Sequence, residues 1–209
     1  ARSARGETSY MGADENPINK VKADVETEFV GYTSTTVNGK VVVIATDEDF
    51  VDELTTGTKG YILTDKTPFY AEMGGQIGDT GMITGANGSA YVYNTKKNVG
   101  GKTVHYVEVK EGSIKLNEEV TLTVDKAIRA NICKNHTATH MLQAALKEIV
   151  GSHVHQAGSF VDNERLRFDF THFEKISAEL LKEIEEKVNQ IVFEGRPVVI
   201  KNMTKEEAL

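Results

Sequence analysis

Between residues 25 and 124 the chain keeps the short rhythm of β-structure, and at Asp125 it changes to the 3.6-residue rhythm of helices. That change of period limits the fold more than any other feature. Upstream, the runs TEFVGY, KVVVIAT, KGYILT, MITG, SAYVYNT, TVHYVEV and EVTLTV are rich in Val, Ile, Thr and Tyr, and Asn-Gly, Gly-Gly and Asp-Lys turn signals separate them. Such a series of short strands in about 100 residues predicts a small barrel or sandwich.

Downstream, Asp125 is placed to cap a short helix through Arg129 to Cys133, with a break near Lys134 and a longer helix running on to a stop at Gly151. In the longer helix Ala138, Met141, Leu142, Ala145, Leu146 and Ile149 share an apolar face, and His136, His140 and Gln143 fall opposite it. HVHQAGSFV and RLRFDF flank Asp162-Asn163-Glu164, the pattern of a hairpin with Leu166, Phe168 and Phe170 on one side and Arg165, Arg167 and Asp169 on the other. His153 and His155 would share one side of its first strand. Ser177 caps a further helix carrying Leu180, Leu181, Ile184, Val188, Ile191 and Val192, stopped by Gly195 and Pro197. A strand, PVVIKNM, is expected next, and Thr204 with Glu207 has the spacing of a capping box.

The fold class is therefore α+β: a small N-terminal β-barrel over residues 21–124, followed by an α+β subdomain over 125–209. Residues 1–20, polar and rich in turn formers, read as the tail of something upstream. The unfinished capping-box helix suggests that the second subdomain is truncated at its C-terminus.

The formal net charge of -7 opposes broad, sequence-independent wrapping of nucleic acid. A local contact is still allowed, because basic residues outnumber acidic ones between Arg129 and Arg167, and five of the six histidines lie from His136 to His172. The lone Cys133 precludes an internal disulfide, which fits a reducing compartment. There is no apolar run of the roughly 20 residues that a membrane span needs. A cytoplasmic protein with no membrane partner is expected.

His136 and His140 form a His-x-x-x-His pair, which puts two imidazoles one helical turn apart and can deliver two nitrogen ligands to one zinc ion. Spacing alone describes two solvated histidines equally well. Cys133 would join them only if the helix ran on unbroken. Gln156 and Ser159 lie in a tight HQAGS segment, which suits either a polar substrate contact or a glycine bulge at Gly158. In TPFYAEMGGQIGDTG, Gly74, Gly75 and Gln76 are a turn between strands or a backbone surface for substrate or tRNA. Arg165 and Arg167 are solvated or meet phosphate.

Taken together, TPFYAEMGGQIGDTG, RNICKNHTATHMLQAAL and HVHQAGSFVDNERLRFDFTHF closely resemble the editing region of the alanyl-tRNA synthetases, and ARSARGETSYMG resembles the segment after that family's aminoacylation half. The resemblance runs through essentially the whole chain in the expected order. It implies an editing subdomain of the threonyl/alanyl-tRNA synthetase type that hydrolyses tRNA(Ala) wrongly charged with serine or glycine. It also implies zinc held by His136 and His140 plus a later Cys-x-x-x-His pair, so that two of four ligands are present here. Thr139 and Gln156 become the catalytic pocket residues. ATP and magnesium belong to the parent ligase, outside these residues, and self-association of the truncated piece is expected through apolar surface at Val198 and Ile200. Two other readings remain open: a non-catalytic tRNA-binding module, and a free-standing trans-editing hydrolase.

Overall fold

A computed structural model describes residues 16–21, 24–199, 203, 204, 206 and 207. The opening ARSARGETSYMG lies outside these, as do Ile200, Lys201 and Asn202. The chain divides into two compact units, Ala1–Ala130 and Asn131–Leu209.

The first unit is built on strands β1 (Glu28–Phe29), β2 (Thr36–Ala45), β3 (Glu53–Thr55), β4 (Lys59–Thr64), β5 (Lys66–Thr67), β6 (Gly81–Thr84), β7 (Gly88–Lys97), β8 (Thr103–Lys115) and β9 (Glu119–Val124). Hydrogen bonds link β8, β4, β2, β9, β6 and β7 in that order, and β7 pairs back to β8. Six antiparallel strands thus close on themselves, which removes their exposed edges. β3 adds to β8, and β1 pairs in parallel with β5. Alternation of side chains fills the interior: in β9, Val120, Leu122 and Val124 point in while Glu119, Thr121 and Thr123 do not. They join Val41, Ile44, Ile62, Phe69, Ile83, Val92, Val107 and Ile114 in one buried cluster.

Among the described residues two titratable side chains, His105 and Asp79, are sealed into this unit, and neither was foreseen in the sequence. His105 is fully buried, with Nδ1 2.9 Å from the Ile62 carbonyl and Nε2 2.7 Å from Thr67 Oγ1. Burial pushes its pKa down to about 4, because a charged imidazole there loses its hydration. The neutral ring therefore donates Nδ1–H to the carbonyl and accepts from the threonine hydroxyl. Asp79, also fully buried, takes Arg129 Nε on both carboxylate oxygens at 2.8 and 3.0 Å and is ion-paired to its Nη2. Arg129 also donates to the carbonyls of Gly31 and Pro68, each at 2.9 Å.

The principal helix, α1 (Lys126–Ile149), is a single run of 24 residues. The expected break near Lys134 does not occur. That stretch contains neither proline nor glycine, and the Asn135 side chain, which would have to cap a new helix, instead donates to the Asp162 carbonyl at 2.9 Å. Asp125 caps the start, accepting from Ala127 N and Ile128 N at 3.0 Å each. Gly151, at φ +138°, follows the helix end.

In the second unit, β10 (Gln156–Val161) and β11 (Leu166–Phe170) form the expected antiparallel hairpin. Asp162 Oδ1 closes the turn by accepting from Glu164 N and Arg165 N at 2.7 Å each. Helix α2 (Ala178–Phe193) begins at the Ser177 cap, whose hydroxyl accepts from Leu180 N. Ala145, Leu146, Val154 and Ile184 make a small core with Leu142, Ile149, Phe168, Phe170 and Val188 packed against it. The expected strand PVVIKNM is not a strand where it is described: Pro197, Val198 and Val199 have no ladder partner, and a strand needs one. Thr204 and Glu207 do make reciprocal capping-box bonds, with Thr204 N donating to Glu207 Oε2 at 2.8 Å and Glu207 N to Thr204 Oγ1 at 3.3 Å.

Candidate functional site

Because α1 is unbroken, its side chains follow one helical count from end to end. At about 100° per residue, the buried positions Ile132, Thr139, Ala145 and Leu146 define a face rotated toward the histidines, relative to the face that hydrophobicity alone marks. His136 and Gln143 therefore sit half-buried beside Thr139, and His140 is exposed. The histidines flank the buried face; they do not stand opposite it, as the apolar pattern had implied.

The His136 and His140 rings stack at 5.1 Å between centroids and 16° between planes. Loss of hydration, aided by repulsion from His140, holds the His136 pKa below the usual imidazole value. A ring kept neutral at pH 7 has a lone pair to offer a metal. Cys133 shares the helix but is exposed, and no group of three or more His, Cys, Asp or Glu placed to hold a metal occurs among the described residues. The donor chemistry suits zinc, and the pair amounts to half of a tetrahedral set.

Thr139, 7% exposed, donates its hydroxyl to the Asn135 carbonyl at 2.9 Å. Its hydroxyl proton is thereby committed to its own helix. Gln156 is exposed and opens β10, where the register slips between Gln156 and Gly158. This bulge is tight: a Cβ on Gly158 would come within 2.8 Å of Asp169 Oδ2. Just before it, Thr171 grips the chain by accepting from His155 N at 3.1 Å and donating its backbone N–H to the His155 carbonyl at 2.9 Å. His153 and His155 precede β10, so they do not share a strand face. His153 lies in a turn and faces His172, Nε2 to Nδ1 at 2.9 Å, with Phe173 against both rings.

Arg165 and Arg167 are solvated on the outer hairpin face, with loose pairs to Asp162 and Asp169 at 3.9 and 3.3 Å. Gly74 and Gly75, at φ +63° and +87°, form a tight turn in the barrel unit between Met73 and Gln76, which bond each other's backbone at 3.2 and 3.1 Å. Positive φ explains both glycines without a ligand.

Comparison with known proteins gives a consistent answer. The family described as "tRNA synthetases class II (A)" matches residues 1–128. "Alanine--tRNA ligase 1" of Lachnoclostridium phytofermentans is 46% identical over 208 residues, and "Alanine--tRNA ligase" of Oceanobacillus iheyensis is 42% identical over 208. Each alignment covers 100% of this chain. The chain in turn spans about a quarter of the length of these relatives, 24% and 23% respectively.

Proposed function

The chain belongs to the class II (A) tRNA synthetases, and from that premise we propose that it is the part of an alanine–tRNA ligase that hydrolyses tRNA(Ala) wrongly charged with serine or glycine. The observation that carries this reading is the stacked His136–His140 pair, with His136 held neutral, on one unbroken helix. His136 and His140 would hold zinc through one ring nitrogen each, and the later Cys-x-x-x-His motif implied by the resemblance would complete the set. Zinc, when bound, supplies Lewis acidity toward the aminoacyl ester and its attacking water. Attachment of alanine with ATP and magnesium, tRNA(Ala) as partner and a cytoplasmic location belong to the same proposal for the longer enzyme.

The need for hydrolysis is physical. A pocket that accepts alanine cannot reject smaller glycine by size, and the serine hydroxyl changes binding in such a pocket by only a few kcal/mol. A second, hydrolytic site corrects the excess. Thr139, with its hydroxyl turned to Asn135, presents a methyl group, and Gln156 presents an amide beside the bulge. These two side chains set the preference for the mischarged product. The test is the ratio of Ser-tRNA(Ala) to Ala-tRNA(Ala) hydrolysis in the full-length enzyme carrying Thr139→Ala or Gln156→Ala. The ratio should fall by roughly tenfold in at least one variant; an unchanged ratio in both removes them from the pocket.

A second reading, a tRNA-binding module without hydrolysis, draws on the lack of a third metal donor among the described residues. Zinc bound tightly by the chain and lost in His140→Ala would count against it.

A further inference from the structure

The turn of α1 that carries His136 is tied to the hairpin by a neighbouring side chain. Asn135, half-buried and one residue ahead of His136, donates Nδ2–H to the Asp162 carbonyl at 2.9 Å. Both ends of this bond are held. On the hairpin side, Asp162 donates its backbone N–H to the Arg165 carbonyl at 3.0 Å and accepts on Oδ1 from Glu164 N and Arg165 N at 2.7 Å each, and Val161 beside it is buried. On the helix side, the Asn135 carbonyl takes the Thr139 hydroxyl at 2.9 Å, and Ile132, one turn earlier, is buried. Asn135 and Thr139 each immediately precede a histidine of the pair. An apolar side chain could fill a half-buried position as well, whereas a directed bond to one fixed carbonyl selects a single setting of the helix.

We propose that Asn135 is a positioning residue for the His136–His140 pair, its amide fixing the rotation and height of this turn of α1 against the hairpin. This rests on the zinc-dependent editing reading above. Because both rings ride on one helix, their mutual spacing survives any movement of it. What the tether governs is where the pair stands relative to the donors carried elsewhere in the chain. A rotation of about 10° moves a group on the outer surface of a helix by about 1 Å, whereas metal–ligand distances hold to about 0.2 Å. Groups that orient metal ligands from behind change metal affinity by roughly 10- to 100-fold when removed.

The experiment uses the full-length enzyme, with zinc affinity read by competition against a chelator and cobalt(II) in place of zinc giving a visible spectrum of the site. Asn135→Ala is the first variant, because alanine is the better helix former and the helix itself is not weakened. It should lose roughly tenfold or more in zinc affinity, alter the cobalt spectrum, and still attach alanine to tRNA(Ala). Asn135→Asp, the same shape without the amide donor, should lose as much, and Asn135→Gln, which keeps the donor, should recover part of the loss. Should Asn135→Ala fail to fold, the Asp and Gln variants decide by the same readings. A merely structural asparagine would lower thermal stability and leave zinc affinity and the cobalt spectrum as in the wild type, and that result overturns the proposal. If His140→Ala releases zinc while Asn135→Ala and Asn135→Asp hold it as the wild type does, the tether is wrong and the zinc reading stands. If His140→Ala holds zinc as tightly as the wild type, both fall together.

Discussion

In the barrel unit, buried charge and buried imidazole are fully provided for: Asp79 has Arg129 and the Tyr70 backbone N–H, and His105 has Thr67 and Ile62. In the helix–hairpin unit His140 and Gln156 are exposed and His136 is half-buried, while Gln143 Oε1 is buried with no hydrogen-bond partner. The barrel core is one continuous cluster under a closed sheet, while the second core rests on a two-stranded hairpin and leaves Leu181, Val192 and Phe193 exposed. One unit satisfies its buried charge and imidazole internally, and the other leaves His140 and Gln156 exposed.

The sharpest way to break this comparison is at Asp79. Asp79→Ala leaves the Arg129 guanidinium, 14% exposed, without its carboxylate, and loss of one partner of such a pair costs about 3–5 kcal/mol. Urea denaturation should show it; a loss below about 1 kcal/mol would mean that the pair is not a structural clamp. The next effect is a pH dependence from His105. Its folded pKa of about 4 lies below its ordinary value of 6.5, so the unfolded chain binds a proton that the folded chain refuses. Stability from this group is full above pH 6.5 and falls as pH drops toward 4, by up to about 3 kcal/mol. His105→Gln should flatten that slope between pH 6.5 and 4; an equal slope in the variant would assign it elsewhere. The smallest effect belongs to the second unit, where Ser177→Ala removes the α2 cap and should cost about 1 kcal/mol, read as a lower melting temperature.

Much of the fold was legible because period and turn chemistry are local. The alternating strands, the Asp125 and Ser177 caps, the Asp162 turn and the Gly158 bulge all carry their signals within a few residues. The barrel itself was expected, but which strands shut it was not legible, since the β7–β8 pairing that closes the ring depends on long-range register. Arg129 and Asp79 are fifty residues apart and look like ordinary surface charges in sequence. The expected helix break near Lys134 was false because nothing in that stretch, neither proline nor glycine, interrupts the backbone. The strand expected in PVVIKNM failed for a different reason: β-propensity does not supply a partner. At the site, the His-x-x-x-His spacing identified the pair, but the apolar pattern misjudged which face is buried. Thr139 is polar by composition and buried in fact, its hydroxyl satisfied by its own helix.

The central claim is that His136 and His140 are working ligands of a hydrolytic site. Its most direct test is hydrolysis of Ser-tRNA(Ala) by the full-length enzyme with zinc, wild type beside His140→Ala, with alanine attachment measured in the same preparations. The account predicts that His140→Ala loses hydrolysis and still attaches alanine. Hydrolysis at the wild-type rate in His140→Ala would contradict it and leave two histidines at the edge of a helix.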